Sequence, residues 1–98
     1  MYSKQYILTN LENIKYKYVD IGIQIVGVFG SVARDEASEK SDIDILYRTK
    51  TGVENLYDKK LLLREELQKL FKTKVDLANE KYLKSYAKDM IMKDLVYV

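Results

Sequence analysis

Three aspartates carry most of the chemistry that this sequence can do. Asp42 and Asp44 stand two apart in the run Ser41-Asp42-Ile43-Asp44-Ile45, and Asp76 lies in the later run Lys74-Val75-Asp76-Leu77. Residues two apart on a strand share a face, so the Asp42 and Asp44 carboxylates lie roughly 6.5 Å apart along the chain and repel. A bound divalent cation relieves that repulsion. Ahead of them Gly30-Ser31 closes an apolar run, and Arg34 follows one turn on. Glycine lets a phosphate approach the backbone, a helix opening offers free N–H groups, and an arginine fork matches phosphate oxygens. A nucleoside triphosphate needs both a cradle and a metal, and the two features stand close together here. Each alone has an ordinary explanation. An Asp-x-Asp pair is commonly a solvated strand edge, and Gly-Ser is commonly a capped helix with a surface arginine beyond it.

Composition narrows the chemistry. The 98 residues include no histidine and no cysteine. That excludes Ser-His and Cys-His catalysis, imidazole or thiolate zinc sites, and a disulfide framework. Metal chemistry must use oxygen ligands, which suit magnesium and, as a substitute, manganese. A net charge of +2 gives no support to a dedicated nucleic-acid binder, which concentrates basic residues on one face. No direct nucleic-acid contact is therefore expected, and the nine tyrosines read as core or interface residues rather than stacking platforms. No apolar run reaches the length of a membrane span, and the first residues lack the apolar core of a signal peptide. The expected location is cytoplasmic.

The elements that must position these residues follow from periodicity. Ile7, Leu11, Ile14 and Tyr18 recur at helical spacing over residues 3–18. Residues 23–29 are apolar and β-branched, as in a buried strand. A short helix over 31–36, capped by Ser31, is expected next. Residues 42–48 read as a second strand, 54–71 as a helix, 74–78 as a third strand, 80–92 as a helix and 95–98 as a short last strand. With no proline, repeat or linker-like stretch, residues 1–98 read as a single domain. The class is α/β (α+β), a small mixed sheet flanked by helices. The long helix between the second and third strands favours a parallel crossover. The first strand must then run antiparallel to the second, which brings Gly30-Ser31 to the same end as Asp42, Asp44 and Asp76.

Gly30-Ser31-Val32-Ala33-Arg34 followed by Ser41-Asp42-Ile43-Asp44-Ile45 resembles the signature of the DNA polymerase β-like nucleotidyltransferases. The chain is most similar to their smallest members, the minimal nucleotidyltransferases, and Lys74-Val75-Asp76-Leu77 resembles the third carboxylate strand of that family. The resemblance runs from the first helix to Leu95-Val96-Tyr97. It implies that Asp42, Asp44 and Asp76 hold two magnesium ions, with Asp76 also accepting the proton of the attacking hydroxyl. It implies phosphate contacts from Gly30, Ser31 and Arg34, and an orienting role for Ser41. It further implies AMP transfer from ATP to a tyrosine of a helical HEPN-type RNase toxin, with this chain as the antitoxin. A catalytically silent protein that neutralises its partner by occlusion is the alternative. A small-molecule acceptor fits poorly, because so short a chain has no separate acceptor-binding domain. The sequence departs from the family at Asp35, where many relatives have glycine. A turn needing positive φ is strained there.

Overall fold

The computed structural model describes residues 2–98. It opens with α1 (Lys4–Val19), whose N-terminus is capped by the Ser3 hydroxyl accepting from the Tyr6 N–H at 3.1 Å. Then come β1 (Ile23–Phe29), the single turn α2 (Gly30–Ala33), β2 (Ile43–Thr49), α3 (Leu56–Phe71) and β3 (Val75–Asn79). A 3-10 turn over Glu80–Tyr82 leads to α4 (Ser85–Asp94) and β4 (Val96–Tyr97).

The four strands form one mixed sheet in the order β3-β2-β1-β4. β1 is antiparallel to β2 and to β4, while β2 and β3 are parallel and joined through α3. The expected mixed sheet is therefore present. Alternation along β2 separates two faces. Ile43, Ile45 and Tyr47 point into the main core, with Ile7, Leu11 and Tyr18 of α1 and Leu63, Leu67 and Phe71 of α3. Burying Ile43 and Ile45 contributes about 2 kcal/mol each, so this face fixes the orientation of the strand. Asp44 necessarily points to the other face, since a one-residue slip would bury its carboxylate in the core.

Gly27 lies on that second face. A side chain there would collide with the Val96 carbonyl, 2.2 Å from the position of its first carbon. Its absence lets β4 pair tightly with β1. The register also shifts between Ile25 and Gly27.

Three local expectations are corrected. The helix after β1 begins at Gly30, so Ser31 lies inside its first turn and is not its cap; Phe29 holds that position with no side-chain bond. That helix also ends at Ala33, because Asp35 adopts φ 59°. The expected helix over 80–92 starts only at Ser85. Before it, the Asn79 side chain accepts from the Lys81 N–H at 3.0 Å and turns the chain.

Candidate active site

The parallel pairing of β2 with β3 puts Asp44 directly opposite Asp76, with the strands roughly 4.8 Å apart. Antiparallel pairing of β1 with β2 puts Phe29, the last residue of β1, opposite Asp44. Gly30 therefore turns away from the sheet beside the Asp44 carboxylate. It does so at φ +72°, and a side chain at position 30 would start 2.2 Å from the Asp44 Oδ2. Glycine is needed twice over, for the backbone conformation and for the room taken by the carboxylate. The glycine turn and the Asp-x-Asp run are thus two sides of one contact.

Electrostatics agree with that crowding. Burial raises the Asp44 carboxyl from 3.8 to about 6, with further upward contributions from Asp76 and then Asp42 and an opposing one from Arg34. Removing a carboxylate from water while keeping two others near it disfavours its charged form. A cation at this place would reverse the effect.

Asp42 lies just before β2, and Lys74 approaches it at 3.8 Å. The Ser41 hydroxyl accepts from the Ser38 N–H at 2.9 Å, and the Ser41 N–H donates to the Ser38 carbonyl at 3.0 Å. Ser41 thus closes the loop that delivers Asp42 and makes an intramolecular contact. β3 is anchored by Gln68, whose side-chain oxygen accepts from the Val75 N–H at 3.1 Å. That bond holds the strand end carrying Asp76.

Arg34 is engaged by protein carboxylates. Its Nε lies 2.9 Å from Glu36 and its Nη1 lies 2.7 Å from Asp94 at the end of α4. Asp35 is held by Lys4 at 3.3 Å, and the same ammonium donates to the Ala33 carbonyl at 3.0 Å. Sequence reasoning missed these ties. Arg34 and Asp94 are 60 residues apart, and nothing local signals their meeting.

The donor set fits a hard divalent ion, since carboxylate oxygens are what this corner offers. Asp44, raised in pKa and pressed against Gly30, is the group that such an ion would relieve. The fit is looser than the sequence suggests: among the described residues no three acidic side chains are gathered closely enough to form a metal cage. The three carboxylates share one sheet end and one electric field. Asp76 is exposed, and Asp42 and Asp44 are half-buried.

Comparison with known proteins gives a consistent result. The family model for the nucleotidyltransferase domain matches residues 11–98. The protein adenylyltransferase MntA of Thermococcus cleftensis is 39% identical over 77 residues, which is 79% of this chain and 76% of that protein. A solved structure named provisionally as a minimal nucleotidyltransferase aligns with a TM-score of 0.83 at 26% identity, covering 99% of this chain and 97% of that one. A chain from a complex of tri-AMPylated Shewanella oneidensis HEPN toxin with MNT antitoxin aligns with a TM-score of 0.68, over 96% of this chain and 70% of that one. At 16% identity that last likeness concerns the fold alone.

Proposed function

This chain belongs to the nucleotidyltransferase domain family, and from that premise we propose that it moves AMP from ATP onto a tyrosine hydroxyl of a HEPN-type RNase toxin, acting as its antitoxin. The observation that carries the reading is the Asp44 carboxylate, held between Asp76 on β3 and the side-chain-free Gly30 turn. Residues 1–98 act as one minimal nucleotidyltransferase domain, in the cytoplasm, without direct contact to nucleic acid. The likeness to MntA supports AMP as the group transferred, and the fold shared with the toxin complex supports the partner.

Asp42, Asp44 and Asp76 would hold the magnesium ions, with manganese as a substitute. Those ions supply charge neutralisation for the triphosphate and a lowered pKa for the attacking hydroxyl. The remaining work falls to the chain itself. The Gly30 turn gives the outer phosphates access to backbone N–H groups, and the Ser31 hydroxyl adds a donor. Asp76, exposed at the strand end, accepts the proton of the tyrosine hydroxyl. The phenolic oxygen then bonds to the α-phosphorus, the bond to the β-phosphate oxygen breaks, and pyrophosphate leaves. Arg34 keeps its Nη2 donors for the phosphates while Nε and Nη1 pair with Glu36 and Asp94.

One observation favours the occlusion alternative: among the described residues the carboxylates are not gathered into a metal cage. The experiment that separates the readings uses a HEPN-type toxin, with ATP and magnesium. Its intact mass should rise by one or more AMP units with the wild type, and its RNase activity should fall in step. The Asp42→Asn/Asp44→Asn double variant should do neither. Neutralisation by both proteins with no mass change would establish occlusion.

A further inference from the structure

α4 reaches the nucleotide turn through its last residue. Asp94 ends the helix, and its Oδ2 accepts from the Arg34 Nη1 at 2.7 Å, across 60 residues of sequence. The sheet brings the two together. β4 runs antiparallel to β1, with Val96 opposite Val28, so α4 finishes at the sheet end where β1 finishes and Gly30 turns. Arg34 directly follows α2, and its own N–H donates to the Gly30 carbonyl at 3.1 Å. The guanidinium is near enough for its charge to act on the Asp44 carboxyl. Asp94 therefore lies at the rim of the carboxylate site, although it comes from the far end of the chain.

The tie does more for the arginine than for the helix. The Arg34 side chain is 44% exposed and that of Asp94 26%, and an ion pair so open to water contributes little to stability. α4 has other attachments. Ala87 and Ile91 are half-buried, the helix contacts β1, and β4 pairs with β1 immediately after it. An arginine fork, by contrast, is planar and rigid on a long flexible stem. Glu36 holds Nε at 2.9 Å, and by itself that bond leaves the fork free to swing. The second bond, on Nη1, fixes its plane. Neither bond uses Nη2.

Fixing a long side chain before its ligand arrives removes part of the entropy cost of binding. An opposing effect exists, because the Asp94 carboxylate adds negative charge near a triphosphate. Water and salt screen that repulsion at an exposed pair, whereas the orientation of the fork acts at hydrogen-bond range. Orientation is therefore the larger effect, and the sign of the change when Asp94 is replaced reveals which one prevails.

We propose that Asp94 is a positioning residue for nucleotide binding, holding the Arg34 fork so that Nη2 donates to the phosphates of a nucleoside triphosphate at the Gly30 turn. The proposal rests on the reading of this chain as a transferase that takes its nucleotide from ATP. It adds a residue of the last helix to the phosphate cradle, acting through Arg34 and touching no nucleotide itself.

The test is a double-mutant cycle on the Kd for magnesium-ATP, measured by calorimetry, with melting temperatures recorded alongside. Asp94→Ala should raise the Kd about fivefold or more, and Arg34→Gln at least as much. Adding Asp94→Ala to Arg34→Gln should change nothing further. Asp94→Asn keeps an oxygen that accepts from Nη1, so it should recover part of the loss. Asp89→Ala, which removes the same charge from an exposed position of α4, should leave the Kd unchanged. The melting temperature without ligand should stay the same in the Asp94 variants. Losses that simply add would overturn the proposal, because Asp94 would then act independently of Arg34. Tighter binding in either Asp94 variant would overturn it in favour of repulsion. A melting temperature that falls in step with affinity would reduce Asp94 to a fastener of the helix. An unchanged Kd in Arg34→Gln would remove the phosphate contact on which the proposal depends. All four outcomes leave ATP binding by the wild type, and with it the transferase reading, intact. A wild type that binds no magnesium-ATP would overturn both.

Discussion

At the scale of single residues, Asp44 is the group on which the chemistry depends. A carboxyl whose pKa is raised by folding stabilises the fold below its unfolded value, near 3.8, and loses that contribution as pH rises through about 6. The metal-free protein should therefore gain stability as pH falls from 7 towards 5 in a chelating buffer. Asp44→Asn should remove much of that dependence and stabilise the metal-free protein at pH 7 by about 1 kcal/mol, a figure already reduced for the solvent screening of a half-exposed group. The same variant should abolish transfer. Denaturation midpoints at several pH values check the first part; an unaltered pH slope in the variant would contradict the assignment. Gly30→Ala tests the same contact from the other side. Its side chain would sit at φ +72° and against the Asp44 Oδ2, so it should cost about 1–3 kcal/mol in strain and displace the carboxylate, lowering stability and transfer together. Asp35→Gly should behave differently. It relaxes a φ of 59°, loses only an exposed ion pair with Lys4, and should leave stability within about 1 kcal/mol of the wild type. Nucleotide affinity should be equal or better, read by calorimetry.

At the scale of elements, the parallel step from β2 to β3 determines whether Asp76 meets Asp44. Gln68 on α3 fixes the start of β3 through the Val75 N–H. Gln68→Ala should cost about 1 kcal/mol and slow transfer more than it weakens nucleotide binding, because it loosens the strand that carries Asp76. Equal effects on rate and nucleotide affinity would point to a general loss of folding instead. Much at this scale was legible in the sequence. The apolar run of 23–29, the alternation that places Ile43 and Ile45 opposite Asp44, and the long helix between β2 and β3 were enough to give the mixed sheet and the shared end. Local periodicity and connection length carry that information. They do not reveal where a side chain bonds the backbone. The Asn79 bond that delays α4 until Ser85 was therefore invisible, as were the Gly30–Asp44 approach and the Arg34–Asp94 tie. The last two join residues distant in sequence, and both lie beside the Gly30 turn.

At the scale of the whole molecule, the two faces of the sheet have separate tasks. The face with α1 and α3 holds the core, and the other face, with Asp44, holds the chemistry. A ligand that bridges the carboxylates and the Gly30 turn should stabilise the fold by mass action, about 2.7 kcal/mol at a hundred times its Kd. ATP with magnesium should therefore raise the melting temperature more than either alone, and chelation should remove the increment. Transfer of the nucleotidyl group from ATP through the Asp44 site can be followed by labelling. The toxin is incubated with magnesium and ATP carrying radiolabel at the α- or the γ-phosphate, with wild type or Asp44→Asn. Label should reach the toxin from the α position only, and with the wild type only. Label arriving from the γ-phosphate, or α-label delivered equally well by Asp44→Asn, would rule out nucleotidyl transfer through Asp44.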